Sequence, residues 1–256
     1  MQSHLVRKSL RRRDVAVTWV QSQLMLTSID FSQSIGSRKM DKVRAPVFAN
    51  AYFVSRTALA EIVTLGAIPA MIAVGNTSAR DKHSVIAGLD LALSELGIDA
   101  DVQFSHENYH ETSESAIAVT CGALMAEHDL RIFASNGPAF VYYSNLRLPP
   151  ILDPEEFHRR WPLTELLTIL RHPQTLEVIP GGSRGVIVDI DRLCADLQLV
   201  FHPSLAATDL TSTLSERAGP GCKFLIITNA PVEHPSYELI GQLTSASVPI
   251  KDHRRA

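Results

Sequence analysis

The stretch that decides the fold is Arg-Thr-Ala-Leu-Ala-Glu-Ile-Val-Thr-Leu-Gly-Ala-Ile-Pro, residues 56–69. Its apolar residues recur at helical spacing and predict a helix with one buried stripe, formed by Ala58, Leu59, Ile62, Val63 and Leu65. We expect the helix to end at Gly66, because glycine readily adopts the left-handed conformation that often follows a helix. Pro69 then prevents any continuation. A single carboxylate, Glu61, lies within this apolar helix, and composition alone makes it an ordinary solvated side chain.

Working outward, strands and helices alternate on both sides of this stretch. Residues 70–74 predict a short buried strand, and residues 15–29 predict one or two strands broken near residues 21–23. Asp81 is expected to cap a second amphipathic helix that ends at Gly97. The alternation predicts a mixed α/β unit in the first half of the chain.

A second mixed unit follows from about residue 129. Strands are predicted at 139–144, 176–179, 224–228 and 247–250, and helices at 163–170, 187–197 and 237–243. A Pro-rich linker is predicted at 149–154, and a glycine-rich turn at 180–185 joins a strand to a helix, where its N–H groups can face an anion. The predicted organisation is therefore an N-terminal unit, 1–130, and a C-terminal unit, 131–256.

The composition is that of a soluble enzyme. The 256 residues are 45% hydrophobic and 20% charged, and the net charge of -3 argues against a nucleic-acid partner. The basic residues within 1–13 are typical of a solvated terminus. No apolar run reaches the length of a membrane span, and no signal-peptide pattern opens the sequence. Cys121, Cys194 and Cys222 lack metal or disulfide spacing, which favours a reducing cytoplasm.

One motif points to zinc chemistry. His106-Glu107-Asn108-Tyr109-His110 spells the His-Glu-x-x-His sequence that, on a helix, places two imidazoles around zinc with the glutamate as general base. Here residues 102–104 predict a strand before the motif, and the polar run at 112–115 does not continue a helix. We therefore favour exposed histidines on a loop and keep a zinc-dependent hydrolase as the less favoured alternative.

An acidic residue in the first half suits magnesium. Asp30 lies in Ile-Asp-Phe-Ser-Gln-Ser-Ile-Gly, residues 29–36, at the predicted end of a strand before a loop of small residues. Magnesium is usually held by one or two carboxylates together with substrate phosphates. On local grounds alone, a turn or cap residue is the favoured interpretation of Asp30.

Several ordered segments, covering about residues 12–250, resemble the AIR synthase superfamily. These ATP-dependent enzymes include aminoimidazole ribonucleotide synthetase and thiamine-phosphate kinase. Ala60-Glu61 stands where the superfamily generally has Asn-Asp, and a glutamate there is a feature of the α-ribazole kinase branch. The loop at 105–112 is similar to the acidic loop of that branch at Glu107 and Thr112 but not at its histidines. The turn at 180–185 resembles the branch's Gly-Ser-basic-Gly turn, whereas the loop after Asp30 keeps only Gly36.

The resemblance implies a fold and an activity. The implied fold is mixed α/β (α+β), with an N-terminal half-barrel that dimerises, a C-terminal α/β sandwich and ATP near their junction. The implied activity is ATP-dependent phosphorylation of a hydroxyl on a nucleoside-like small molecule, with α-ribazole in cobalamin assembly as the preferred acceptor. A degenerate relative that binds a ligand or partner without catalysis is the main alternative.

The resemblance also implies a set of site residues. The expected Mg²⁺ ligands are Asp30, Glu61 and Glu107. The expected ATP- or phosphate-binding residues are Lys39, Gly66, Thr112 and Arg184. No catalytic base is assigned; His106 and His110 are considered only because histidine titrates near neutral pH.

Overall fold

The computed structural model describes residues 13–107, 109–134, 137–144, 157, 161–181, 184–204, 223–234 and 237–245. Its helices are α1 (Val47–Val63), α2 (Lys82–Leu96), α3 (Leu163–Arg171) and α4 (Val186–Leu197). Its strands are β1 (Val15–Val20), β2 (Gln23–Gln33), β3 (Ile35–Gly36), β4 (Val43–Arg44), β5 (Met71–Asn76), β6 (Asp101–His106), β7 (Ala116–Ala126), β8 (Ala139–Ser144), β9 (Thr175–Pro180), β10 (Leu199–Pro203), β11 (Phe224–Thr228) and β12 (Tyr237–Ser245). The predicted linker at 149–154 and the predicted strand at 247–250 lie outside the described residues.

The first sheet has the strand order β1-β2-β7-β5-β6. Every neighbouring pair is antiparallel except β5 and β6, which are parallel and are connected through α2. The hairpin between β1 and β2 turns at Gln21, whose φ of 56° is left-handed. This turn confirms the predicted break, and β5 confirms the predicted strand after Pro69.

Helix α1 is the centre of the molecule. It ends one turn before Gly66, whose φ is +91°, and a Cβ there would lie 2.9 Å from the carbonyl oxygen of Asp129, so only glycine fits. The prediction of one buried stripe is wrong, because α1 begins at Val47 and is buried almost all round, including Arg56 and Glu61. A helix buried on every side belongs to the interior rather than to a surface.

Helix α2 ends as predicted, at a left-handed Gly97. Asp81 occupies the predicted N-cap position of α2, but its side chain makes no capping hydrogen bond. A 3₁₀ turn at Ala79–Asp81 precedes the helix, and the Ser78 hydroxyl accepts the N–H of Arg80 at its start. Asp81 is therefore free to interact with residues outside its helix.

The second sheet has the strand order β10-β12-β8-β11-β9 and is antiparallel throughout. The predicted helix at 237–243 is wrong, since these residues form β12, paired with β8 and β10. A short segment with scattered Leu and Ile is compatible with both the helical and the strand periodicity, so pairing with the neighbouring strands decides its structure. A bulge between Leu239 and Gly241 marks the irregular pattern that obscured the strand.

The molecule is built in layers. Helices α1 and α3 lie between the two sheets, and Val178, Phe224 and Ile226 of the second sheet share one core with Leu59 and Ile62 of α1. Helix α4 packs on the other face of the second sheet. This architecture confirms the predicted mixed α/β fold class. The first sheet ends at residue 126 and the second begins at 139, so the proposed boundary at 130/131 falls between them, while the division into two domains stays a prediction.

The outer face of the first sheet is apolar. On β1, β2, β5 and β7, which are described in full, the side chains of this face include no charged residue, whereas the edge strand β6 carries the exposed Asp101 opposite Met71. Its largest exposed side chains are Ile29, Phe31, Met71 and Leu124, which are 56–64% exposed. Small residues such as Gly75, Ala118 and Gly122 fill the centre of the face. Among the described helices, none combines the length and the apolar character needed to cross a membrane.

Candidate functional site

A polar cleft of about 730 Å³ lies where β5 and β6 end. We call it the loop cleft. Three loops contribute to it, through residues 37–39, 77–81 and 107 with 109–113, and it is lined by three of the predicted site residues, Lys39, Glu107 and Thr112. Polar loops at the ends of strands are a usual place for binding residues, because the sheet positions them.

Asp41 holds the first of these loops in place. Its carboxylate accepts hydrogen bonds from the backbone N–H of Ser115 at 2.7 Å, the Ser115 hydroxyl at 2.8 Å and the N–H of Arg38 at 2.6 Å. Burial opposes ionisation of this group, but the hydrogen bonds from Ser115 and Arg38 outweigh it and lower the pKa of Asp41. A Cβ at Gly36 would lie 2.3 Å from the Ser115 hydroxyl, so this contact also requires glycine.

The loop cleft carries both signs of charge. Arg38 lies 3.5 Å from Asp81 and donates to the carbonyl oxygen of Thr112 at 2.5 Å. Arg80 and Glu111 form a 3.9 Å ion pair in which both side chains are fully solvated. Lys39 is exposed, and no carboxylate in the described part of the chain forms an ion pair with it. The exposed side chains of Lys39 and Arg80 can reach an anion in the cleft. Together with the hydroxyl groups of the lining and the N-terminus of α2, they suit a phosphate group.

Glu107 closes its own loop. Its Oε1 accepts the N–H groups of Tyr109 at 2.5 Å and His110 at 3.4 Å. His110 lies exposed in the loop after β6, as predicted, whereas the prediction of an exposed loop histidine is wrong for His106, which is the last residue of β6 and only partly exposed. The two imidazoles are therefore not one helical turn apart, as the zinc-protease arrangement requires.

Three other predicted residues lie elsewhere, where the N-terminal segment meets α1, β9 and α4. We call this region the junction. Glu61 pairs there with Arg13 at 3.3 Å, and Arg184 pairs with Asp14 at 3.3 Å. Asp30 faces the same region from within β2 rather than from the end of a strand, because β2 continues to Gln33.

Burial strongly affects the junction carboxylates. It raises the pKa of Asp30 to about 6, and hydrogen bonds from Phe31 and Thr57 only partly offset this. It also raises the pKa of Glu61 to about 7, against the attraction of Arg13 and with added repulsion from Asp14. Within the described residues, no group of three or more His, Cys, Asp or Glu side chains is placed to hold a metal ion.

Gly66 lies in neither the loop cleft nor the junction. It lies at the opposite end of the sheet from the loop cleft, beside Leu124, Asp129 and Arg131. Its left-handed backbone and the nearby Asp129 carbonyl account for a glycine there without any ligand. The structure thus brings together Lys39, Glu107 and Thr112 in one place, and Asp30, Glu61 and Arg184 in another.

Sequence reasoning missed several residues of these two regions. Arg13, expected in a solvated terminus, is fully buried, because α1 and β9 enclose its side chain. Asp14 and Arg80 were assigned no role. For Arg80 the available signal was the polar turn at 75–78 directly after a buried strand, because such a turn marks a loop at the end of a sheet. No local signal marks Arg13, because its partners are distant in the sequence.

Comparison with known proteins gives the fold. No protein-family model matches the sequence, and no curated protein matches it. Among solved structures, a ThiL protein complexed with AMPPCP and TMP is similar at a TM-score of 0.62 and 10% identity, covering 93% of this chain and 86% of the other. Thiamine-monophosphate kinase from Stenotrophomonas maltophilia gives a TM-score of 0.58 at 14% identity, covering 95% and 90%. A chain of the HypE–HypF complex gives a TM-score of 0.56 at 10% identity, covering 92% of this chain and 88% of the other.

These likenesses extend over most of each chain at very low identity, so they establish the fold alone. The chain has the AIR synthase-like fold, as the sequence resemblance predicted. Thiamine-monophosphate kinases are one group of enzymes built on that fold.

Proposed function

We propose that the protein is an ATP-dependent phosphotransferase that acts on a hydroxyl of a nucleoside-like small molecule. The observation that carries this proposal is the loop cleft, whose cations and hydroxyls suit the phosphates of a nucleotide. The similar ThiL structure, complexed with AMPPCP, an ATP analogue, supports a nucleotide as the ligand. In the reaction the γ-phosphoryl group passes to the acceptor oxygen, the hydroxyl loses its proton and ADP leaves.

Three elements of the loop cleft would bind the phosphates. Lys39 and Arg80 extend into solvent and can turn toward an anion without losing a buried partner. The Thr112 hydroxyl, which donates only a long 3.4 Å bond to the carbonyl of Thr77, is available as a further donor. Phosphoryl transfer depends on positioning and charge neutralisation rather than on covalent catalysis, and these groups supply both.

The donor set of the loop cleft also fits Mg²⁺ bound together with a nucleotide. Asp81, Glu107 and Glu111 are hard oxygen donors in the cleft lining, and magnesium needs only one or two carboxylates when phosphate oxygens complete its shell. We assign Glu107 and Asp81 to this role. When bound, the ion would offset the negative charge of the transferred group.

The acceptor is proposed to be α-ribazole, on the strength of the family resemblance. The rings of Tyr109 and His110 lie at the loop cleft with centroids 4.5 Å apart, and exposed aromatic faces of this kind stack on heterocycles. His110 lines the cleft whereas His106 does not, so His110 is the residue placed to accept the hydroxyl proton. The free thiols Cys121 and Cys194 agree with a cytoplasmic enzyme.

We propose further that two copies pair through the outer face of the first sheet. A face that carries no charge on β1, β2, β5 and β7, with Ile29, Phe31, Met71 and Leu124 exposed, is an apolar patch of the kind that marks a protein interface. The half-barrel implied by the resemblance gives the partner, which is a second copy of this chain.

One observation favours the non-catalytic alternative, a protein that binds the nucleotide without transferring phosphate. The three carboxylates expected to hold magnesium are divided, with Glu107 at the loop cleft and Asp30 and Glu61 at the junction.

A coupled assay of ATP consumption with α-ribazole, together with mass detection of the phosphorylated product, tests the function. We expect Mg²⁺-dependent formation of α-ribazole phosphate. ATP binding without any phosphorylated nucleoside would establish the non-catalytic alternative, and the absence of ATP binding would contradict both.

A further inference from the structure

Arg13 forms the centre of the junction. Its side chain is completely buried and donates to the carbonyl oxygen of Val178 at 2.6 Å and that of Glu61 at 3.2 Å, and to the Thr64 hydroxyl. Its guanidinium also lies 3.3 Å from the Glu61 carboxylate and 3.5 Å from that of Glu177. The Arg13 side chain thereby connects α1 to β9 of the second sheet.

A second pair of arginines meets the next residue in the chain. Arg184 and Arg192 lie 3.3 and 3.7 Å from the same carboxylate oxygen of Asp14. Asp14 in turn is close enough to Asp30 and Glu61 to raise the pKa of both. Glu61, Glu177 and Asp14 therefore each have a guanidinium group of the chain beside them.

We propose that the guanidinium groups of Arg13, Arg184 and Arg192 serve as the counter-cations of the junction, in the place where the family resemblance implies a divalent metal. The nucleotide-free junction then binds no Mg²⁺ or Mn²⁺, and Glu61 acts as the partner of Arg13 rather than as a metal ligand. This differs from the role expected for Asp30 and Glu61, and it is independent of nucleotide binding in the loop cleft.

The geometry of Arg13 is the physical reason. A metal that took the Glu61 carboxylate would compete with a guanidinium that cannot move into water, because no part of it is exposed. Displacing it would leave the carbonyls of Val178 and Glu61 without their donors and a cation buried without its partner. Breaking a buried ion pair in this way is strongly unfavourable. The pairs of Asp14 are partly exposed and individually weak, so Arg13 is the main cation of the junction.

Electron paramagnetic resonance of Mn²⁺ added to the nucleotide-free full chain tests the proposal. Glu107→Gln combined with Asp81→Asn serves as the background, since the two changes remove the loop-cleft carboxylates assigned to the ion, which could bind Mn²⁺ separately. In this background we expect no bound Mn²⁺ at millimolar concentration. Stoichiometric binding that Glu61→Gln or Asp30→Asn abolishes would overturn the proposal.

A gain of binding makes the test sharper. In the same background, Arg13→Gln removes the buried charge, and we expect the affinity for Mn²⁺ to rise by about tenfold or more, because one nearby positive charge is gone. Arg184→Ala with Arg192→Ala, at an exposed and a partly exposed position, is the second variant if Arg13→Gln does not fold, and it should gain weaker binding that Asp14→Asn removes. A folded variant of either kind with no gain would contradict the assignment of these arginines as substitutes for the metal.

Discussion

At the scale of single residues, Glu61 is the most informative side chain. It lies on a helix buried almost all round, and burial raises its pKa to about 7 even with Arg13 beside it. A carboxylate so placed costs free energy when it ionises unless its partner compensates fully. Its titration therefore reports directly on the balance between burial and the Arg13 ion pair.

The pH dependence of the free energy of unfolding measures this balance. The pKa of Glu61 is about 7 in the folded state against 4.5 ordinarily, so the folded chain holds the proton more tightly. The contribution of Glu61 to stability is therefore greatest below pH 4.5 and is lost as the pH rises toward 7. Relative to Glu61→Gln, the free energy of unfolding of the wild type should fall by on the order of 3 kcal/mol across this pH window, as measured by urea denaturation. Glu114→Gln, at a partly exposed position, is the control; parallel pH profiles for wild type and Glu61→Gln would contradict the account.

At the scale of elements, the loop cleft depends on Asp41. A single carboxylate joins the loop after β3 to the start of β7 through three hydrogen bonds. The position of Lys39, two residues away, follows from this anchor.

Asp41→Asn should weaken both the fold and the ligand site. An amide keeps one oxygen acceptor and turns an NH₂ group toward donors, so we expect a loss of about 1–3 kcal/mol in the free energy of unfolding. Nucleotide affinity should fall with it, because the loop that carries Lys39 is released. Asp90→Asn, at an exposed position on α2, is the matched control. Full stability and full nucleotide affinity in Asp41→Asn would show that the loop is held by other contacts.

The elements also show what the sequence could and could not predict. The ends of α1 and α2 were predictable because Gly66 and Gly97 are local signals for left-handed backbone. Strand β12 was not, because it is decided by its pairing with β8 and β10. For the same reason the burial of Arg13 was hidden, since Glu61 and Val178 are 48 and 165 residues away in the chain. Lys39, Glu107 and Thr112 were expected from resemblance, but only the tertiary structure separates them from Asp30 and Glu61.

At the scale of the whole molecule, the layered architecture leaves one face uncovered. The helices cover the inner face of the first sheet, while Ile29 and Phe31 remain exposed on the outer face. An apolar face of this kind is stable in water when a partner covers it.

We expect the wild type to be a homodimer and Phe31→Glu to be a folded monomer. Introducing a charge at the centre of an apolar interface leaves that charge desolvated and unpaired in the dimer. Light scattering at micromolar concentration gives the mass, and Ser84→Glu, exposed on α2, is the control that should remain dimeric. A wild type with monomeric mass would contradict the dimer, and a Phe31→Glu variant that still dimerises would place the interface elsewhere.

The most direct test of the central claim, that nucleotide phosphates bind in the loop cleft, is calorimetric titration with AMPPCP and Mg²⁺. Lys39→Ala removes a cation from the cleft lining, whereas Lys42→Ala removes an exposed lysine of the same segment that does not line it. The account predicts binding to the wild type, about tenfold weaker binding to Lys39→Ala because a charge-assisted hydrogen bond is lost, and unchanged binding to Lys42→Ala. Equal affinity in all three proteins, or no binding to the wild type, would contradict it.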